Sequence, residues 1–169
     1  MSFINPCFDQ HGSDYPPPPP ALGGQQINHP VAGTVIQVWL GGAPGHPAWL
    51  QAIIPPQALG QGTAPTQTVR QQIAPLGRQG DDAGHIIAAN LGGPGNQLWN
   101  FFAQSPNFNR GAWMNQEQIC ANQLRYNQAV RLCFQFEYGD AALPNRVTRF
   151  QYCYKLGTAG TLVNDLMNP

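Results

Sequence analysis

The sequence predicts an α+β fold in which a small antiparallel β-sheet packs against one main helix, preceded by a loop-rich N-terminal region. Two segments in the last 40 residues alternate apolar and polar side chains, as half-buried strands do. The segment 113–126 lacks Pro and Gly and is rich in good helix formers. Prolines recur throughout the first 80 residues and interrupt any long element there.

Length and charge restrict the fold and the function further. The 169 residues are enough for one ordinary domain. Charged residues make up 9% of the chain, against roughly 25% in an average soluble domain, and the formal net charge is zero. This composition excludes a highly basic nucleic-acid binder and an acidic disordered tail. We expect no membrane insertion, because no run approaches the roughly 20 apolar residues that a span requires, and no conventional signal peptide.

The N-terminal region predicts an arm, one strand and short broken elements. Residues 1–28 contain the run Pro16 to Pro20 and then Gly23 and Gly24, which is typical of a polyproline arm or linker. The β-rich stretch 31–40 predicts one strand, closed by two glycines. Between residues 41 and 80, prolines leave only short elements near 49–54 and 66–73. His11, His29 and His46 lie among these loops, so we expect them on the surface.

The main helix is expected to begin near Asn109, and an antiparallel hairpin follows it. Apolar residues occupy even-numbered positions in both hairpin strands, so the register pairs residues whose numbers have an even sum, such as 286. That register places Cys133 opposite Cys153, either as two thiols or as a cross-strand disulfide. The remaining cysteines, Cys7 and Cys120, form no Cys-x-x-Cys pair, which argues against a cysteine-ligated metal.

All fixed positive charge lies at or after Arg70, so an anionic substrate would be bound by the last hundred residues. The segment 80–117 is dense in His, Asn, Gln and carboxylate side chains. Asn109 and Glu117 are eight residues apart, which places them two turns apart on roughly the same face of a continuous helix. An amide oxygen suits a hard cation such as Mg²⁺, which keeps several waters and accepts phosphate oxygens as further ligands.

Within this segment, Asp82-Ala83-Gly84-His85 is followed by Asn100, Gln104, Asn109-Arg110-Gly111, Trp113 and Glu117. This order and spacing resemble the core of the DNA/RNA non-specific endonucleases, which are ββα-metal, or His-Me finger, nucleases. The resemblance covers about forty residues and implies a ββα-metal nuclease domain over residues 29–169. With the run Leu91-Gly92-Gly93-Pro94-Gly95, it is most similar to nuclease domains at the C-termini of bacterial polymorphic toxins.

The resemblance implies a role for each matching residue. His85 would be the general base and Asn109 the direct protein ligand of Mg²⁺ or Mn²⁺. Asn100 and Glu117 would position metal-bound waters or the His85 strand. Gln104 would support the loop, and we group it with Arg78 as a substrate contact.

One position departs from the family pattern, because Ala83 stands where the better-known motif has arginine. Arg110, Arg78 or Arg70 would then have to stabilise the charge that develops on the phosphate. We assign Arg110 to the catalytic set.

Structural interpretations compete with these roles. His85 beside a glycine could be structural, Asn109 could cap the helix, and Glu117 could be a surface carboxylate. Trp99 and Trp113 could stack on bases, although we expect burial against the hairpin. The surrounding constellation favours the catalytic interpretation of the first three.

The function implied is metal-dependent, sequence-nonspecific cleavage of DNA, and possibly of RNA, by a delivered or secreted toxin domain; otherwise the protein would be cytoplasmic. A neutralising immunity protein would be a natural partner. Two alternatives stay open: a catalytically silent nucleic-acid-binding module, and an adaptor that presents Pro16 to Pro20 to a partner.

Overall fold

The computed structural model of the protein describes residues 23–41, 45–157 and 161–169. Six antiparallel strands form the main sheet in the order β1-β2-β3-β6-β7-β8, and β4 pairs with β5 in a separate hairpin. Two α-helices complete the fold, so the predicted α+β class is confirmed. The strands are β1 (Gln25–Ile27), β2 (Val35–Leu40), β3 (Pro47–Ile54), β4 (Asp82–His85), β5 (Phe101–Gln104), β6 (Val130–Tyr138), β7 (Val147–Leu156) and β8 (Thr161–Met167), and the helices are α1 (Gln67–Ile73) and α2 (Met114–Arg125).

The main sheet is larger than the sequence suggested. The stretch 31–40 begins with a turn in which the Thr34 amide donates to the Val31 carbonyl, and β2 follows it. β3 is an eight-residue strand in the middle of the sheet, longer than the short element expected near 49–54. Its Pro47 lies at the first position, where a missing N–H group is tolerated. β8 was not predicted at all.

The hairpin of β6 and β7 has the predicted register. Cys133 lies opposite Cys153, and Phe134 opposite Tyr152, so paired residue numbers have the expected even sum. Burial of the apolar face specifies this register, because a shift of one residue would turn every apolar side chain to the opposite side of the sheet.

α2 covers this face of the sheet through Cys120, Ala121 and Leu124, which are buried. Trp113, just before α2, packs edge-to-face on Phe150 and Tyr152 with ring centroids 5.2 and 5.0 Å apart. Trp113 is therefore a core residue, as expected, and so is Trp99.

The β4–β5 hairpin lies apart from the main sheet and is covered by α1. Val69 and Ile73 of α1 are buried together with Phe101 and Ala103 of β5. The side-chain oxygen of Thr66 accepts a hydrogen bond from the Val69 amide and caps the start of α1.

A buried ion pair connects the two sheets. Arg146 donates from Nε to Asp81, directly before β4, over 2.8 Å, and both side chains are almost fully buried. Its other nitrogens donate to the carbonyl oxygens of Asn168 and Pro169. Asn168 in turn donates to the carbonyls of Ala103 and Val147, so it joins β5 to β7.

Two expectations about the N-terminal histidines were wrong. His46 is buried, with Nδ1 3.1 Å from the Phe101 carbonyl oxygen, and burial lowers its pKa. His29 is partly buried, and its Nε2 lies 2.7 Å from the Gly92 carbonyl oxygen. Both rings connect the N-terminal segment to backbone carbonyls of the segment 92–101.

The arm predicted over residues 1–28 lies mostly outside the described residues, as does His11. Its last residues include β1, which pairs with β2 at the edge of the main sheet. Within the described ranges, neither helix has the length and apolar character needed to cross a membrane.

Candidate active site

The site is built where one helical segment contacts both ends of β4. Phe108–Trp113 forms a π-helical turn that continues into α2, and such turns are frequent at functional sites. Asn109 in this turn donates to Asp82 at the start of β4, over 3.0 Å. Trp113 donates from its indole to the carbonyl of His85 at the end of β4, also over 3.0 Å. Asn109 is thereby held beside the strand that carries His85.

His85 is held in one orientation. Its Nε2 lies 2.9 Å from the carbonyl oxygen of Thr63, so Nε2 carries the proton and donates. The ring also rests on Phe101, with ring centroids 4.5 Å apart. In the neutral imidazole this tautomer leaves Nδ1 as the basic nitrogen.

The surroundings of His85 favour its neutral form. Burial lowers its pKa from the ordinary value of 6.5, the hydrogen bond to Thr63 opposes this, and the charge of Arg70 lowers the pKa again. The net shift is downward, so the imidazole is unprotonated at neutral pH and can accept a proton.

Gln104 supports β4 from the paired strand. It is fully buried, and its Nε2 donates to the His85 carbonyl over 3.1 Å. A Cβ atom at Gly84 would overlap the Gln104 side chain, which explains why glycine precedes His85. Gln104 therefore lies behind the strand, where it contacts the backbone of His85.

Asn100 also contacts backbone. Its side chain is fully buried and bonds the N–H and C=O groups of Ile87 over 2.8 and 3.0 Å. Its Nδ2 further donates to the carbonyl of Pro94 over 3.1 Å. The side chain thus fixes the loop that leaves β4, which corresponds to positioning of the His85 strand.

Asp82 connects Asn109 to Arg110. Arg110 binds the carboxylate through two hydrogen bonds, of 3.0 Å from Nε and 2.8 Å from a terminal nitrogen. Burial raises the Asp82 pKa, but the hydrogen bonds from Arg110 and Asn109, with the charges of Arg110 and Arg70, outweigh it, and the net pKa lies below 3.8. Asp82 is ionised and orients the Asn109 amide.

Glu117 lies in the first turn of α2, two helical turns after Asn109. Burial raises its pKa to about 8. Its carboxyl group has no hydrogen-bond or ion-pair partner among the residues that the structure describes. A half-buried carboxyl without a cation partner is an environment that a bound cation would stabilise.

The three candidate arginines are placed differently. Arg110 is paired with Asp82, although its side chain is 70% exposed. Arg78 pairs with Asp140 in the loop after β6, over 2.8 Å. Arg70 lies exposed on α1, which packs on β4, and its charge acts on both His85 and Asp82.

The donor set fits a divalent cation that the protein holds weakly by itself. In the described ranges, no three His, Cys, Asp or Glu side chains come together as a metal cage. Asn109 uses its Nδ2 on Asp82, which leaves Oδ1 for a cation, and Glu117 presents a carboxyl without a partner two helical turns farther along. Magnesium suits such a site because it binds few protein ligands and keeps waters and phosphate oxygens.

Sequence reasoning missed two contacts of His85. Thr63 acts through its backbone carbonyl, for which a side-chain motif contains no signal. Trp113 was expected to be buried, but its indole N–H group bonds the strand of the candidate base. Asp82 was included in the motif, but no role was predicted for it. Because this chain has few carboxylates, its position in the motif was a signal of such a role.

Comparisons with known proteins identify the family and the fold. Residues 48–157 match the DNA/RNA non-specific endonuclease family. The chain is 32% identical over 111 residues to the probable deoxyribonuclease RhsA of Dickeya dadantii (strain 3937), a match that covers 66% of this chain and 8% of that protein. The chain thus corresponds to a small part of that relative's length.

The fold is similar to that of EndoG in the crystal structure of the EndoG/EndoGI complex, which concerns the mechanism of EndoG inhibition. The TM-score is 0.55 at 14% identity, over 85% of this chain and 74% of that one. The family match covers more than half of the chain, including β4, β5 and α2. The chain therefore belongs to the DNA/RNA non-specific endonuclease family, whose members are hydrolases of nucleic acid.

Proposed function

We propose that this domain is a metal-dependent, sequence-nonspecific endonuclease that hydrolyses phosphodiester bonds of DNA. It would also hydrolyse RNA, provided that the protein contacts the phosphate groups of its substrate. The observation that carries the proposal is the His85 ring, oriented by the Thr63 carbonyl on the strand that Asn109 and Trp113 hold. Contacts to phosphate carry no base information, so they account for non-specific cleavage.

In the proposed reaction, Nδ1 of His85 accepts a proton from a water molecule. The water oxygen forms a bond to phosphorus while the bond between phosphorus and the 3′ oxygen breaks. The leaving 3′ oxygen takes a proton from a second water molecule of the solvent, which yields a 5′-phosphate and a 3′-hydroxyl. The lowered pKa of His85 keeps the base unprotonated at neutral pH. Nε2 stays bonded to Thr63, so the imidazolium that forms keeps its orientation.

Asn109 would hold the cation through Oδ1, and Glu117, two helical turns farther along, would bind it through water. A bound Mg²⁺ or Mn²⁺ supplies Lewis-acid stabilisation of the charge on the phosphate and the leaving oxygen. Asp82 keeps Asn109 in place by accepting from its Nδ2. Asn100 and Gln104 hold the backbone around His85, as positioning residues.

Arginine side chains would bind the phosphate groups of the substrate. Arg110 is exposed and lies next to Asn109, and Arg70 acts electrostatically on His85 from α1. We propose that these two take the place of the arginine absent at Ala83. Arg78, which pairs with Asp140, would contact phosphate groups farther along the strand.

The biological setting that we propose is a toxin or effector domain delivered to a target cell. The supporting observation is the similarity to the probable deoxyribonuclease RhsA, which is far longer than the matched segment. A dedicated inhibitor would protect the producing cell. The EndoG/EndoGI complex illustrates inhibition of a protein with a similar fold.

Digestion of plasmid DNA and of RNA with Mg²⁺, Mn²⁺ or EDTA tests the nuclease function. We expect cleavage with metal, none with EDTA, and its loss in His85→Ala with partial rescue by added imidazole. The matched control is Gln57→Ala, an exposed residue on a separate turn. Equal activity of His85→Ala and the control would reject His85 as the base. A folded wild-type protein that cleaves nothing would favour the silent binding module.

A further inference from the structure

A groove without charged carboxylate, lysine or arginine side chains lies next to the candidate base, outside the motif that defines the site. It has a volume of about 760 Å³ and is formed by the segments 26–30, 61–66 and 92–97. Thr63 lines this groove and also accepts the hydrogen bond from His85. Thr63 is therefore the residue that separates the groove from the imidazole of His85.

The groove walls are held together by the fold. His29 accepts from the Val31 amide with Nδ1 and donates to the Gly92 carbonyl with Nε2, which joins the first wall to the third. The Gly95 amide donates to the Thr63 hydroxyl over 2.8 Å, which joins the second wall to the third. A Cβ atom at Gly95 would overlap the carbonyl of Ala64, so these backbones can approach only with glycine there. Such a groove is formed before any ligand arrives.

The chemistry of the lining is neutral and rich in side-chain amides. Asp, Glu, Lys and Arg are absent from the lining, and all of its Asn and Gln side chains belong to exposed residues. These amides have no hydrogen-bond partner within the part of the chain that the structure describes. The five residues are Gln26, Asn28, Gln61, Asn96 and Gln97.

Free amides in a neutral groove match one part of a nucleic acid. A side-chain amide presents a donor and an acceptor together, as the edges of nucleobases do. Phosphate groups, in contrast, bind where cations are available. The described cations near His85 are Arg70 and Arg110, and neither lines the groove.

We infer that this groove is a nucleobase subsite, which binds the bases of a single-stranded segment flanking the phosphate that is cleaved. The inference rests on the proposed nuclease function. It assigns the two parts of the substrate to two surfaces: phosphate groups to the arginines, and base edges to the amides. Amides can bond the edge of any base, so the subsite is compatible with non-specific cleavage.

The test measures binding without cleavage. His85→Ala protein is titrated with a fluorescent single-stranded DNA oligomer, and with an oligomer of the same length in which every base is replaced by a tetrahydrofuran abasic residue. Asn96→Ala combined with Gln97→Ala should weaken binding of the base-bearing oligomer by about tenfold, and should leave binding of the abasic oligomer unchanged. Gln57→Ala in the same background is the control, because Gln57 is an exposed amide outside the groove.

Equal weakening for both oligomers, or for neither, would overturn the subsite. Should the double variant unfold at the assay temperature, Asn28→Ala with Gln61→Ala from the other two walls tests the same expectation. Hydrolysis of bis(p-nitrophenyl) phosphate by wild type is measured separately, because this small ester has no base. Failure there with base-selective binding intact would reject the nuclease function alone, whereas hydrolysis with base-independent binding would reject the subsite alone.

Discussion

Asp82 accepts a hydrogen bond from Nδ2 of Asn109 over 3.0 Å, and this contact decides which way the Asn109 amide oxygen can face. The same carboxylate binds Arg110 at two points. Asp82 would therefore orient the metal ligand from outside the metal's own coordination shell. Such outer contacts commonly tune metal affinity as much as the ligands do.

Asp82→Ala should raise the Mg²⁺ concentration needed for half-maximal cleavage by about 10–100-fold, because Asn109 loses the acceptor that orients it. A metal titration of initial cleavage rates measures this. Asp140→Ala is the control, since that carboxylate also pairs with an exposed arginine. Matching metal titrations for the two variants would refute the orienting role.

The pH dependence of cleavage should report His85. The base must be unprotonated, and burial lowers its pKa from 6.5, so kcat/KM should rise with pH through an apparent pKa below 6.5. The Arg70 charge contributes to this lowering, so Arg70→Ala should move the acid limb to higher pH. An acid limb above 6.5 in wild type would contradict this assignment of the base.

Arg70→Ala should weaken binding of oligonucleotides and reduce the slope of log affinity against log salt by about one. The reason is the loss of one phosphate contact, and anisotropy titrations at several salt concentrations measure it. Arg78→Ala should have a smaller effect, because that side chain pairs with Asp140. Arg125→Ala, at the far end of α2, is the control. A salt slope identical to that of the control would remove Arg70 from the phosphate contacts.

Glu117 should make the stability of the metal-free protein depend on pH. Its folded pKa is about 8, above the ordinary 4.5, so folding favours the protonated form. The stability is fully present below pH 4.5 and is lost as pH rises through 8. Urea unfolding in EDTA should show this loss, and Glu117→Gln should abolish it while the exposed Glu137→Gln does not. An unchanged pH profile in Glu117→Gln would disprove the assignment.

Arg146→Met should destabilise the protein by about 3–5 kcal/mol, because it leaves the buried carboxylate of Asp81 without its charged partner. Chemical denaturation measures the change. Arg149→Met serves as the control. It should lower the free energy of unfolding by less than about 1 kcal/mol, because the carboxylate of Glu137, 3.9 Å from the guanidinium, is exposed to solvent. Equal costs for the two variants would show that burial of the pair is unimportant.

Sequence periodicity predicted the parts of the fold that depend on alternation. The register of Cys133 with Cys153 followed from the parity of apolar positions. The long helix followed from the good helix formers over 113–126, a segment without Pro or Gly. β3 was underestimated because Pro47 and Pro55 suggested interruption, whereas they lie at the strand's first position and just beyond its end. His46 was misjudged since its burial depends on the distant Phe101 carbonyl.

The candidate site divides in a similar way. Side chains that are proposed to act through their own chemistry, such as His85 and Asn109, were indicated by the motif and by the family resemblance that it carries. Contacts made by backbone groups, such as the Thr63 carbonyl, cannot be predicted from the sequence, because every residue type has a backbone carbonyl. The Arg70 position also depends on how α1 packs on the β4–β5 hairpin, which no local pattern specifies.

The contacts of Arg146 and Asn168 also set an order of events during synthesis. Asp81 precedes β4, yet its partner arrives 65 residues later, and Asn168 joins β5 to β7 from farther still. A ribosome must therefore release almost the whole described chain before the β4–β5 hairpin can be fixed by these contacts. We expect the nascent domain to lack a fixed β4 strand until that moment.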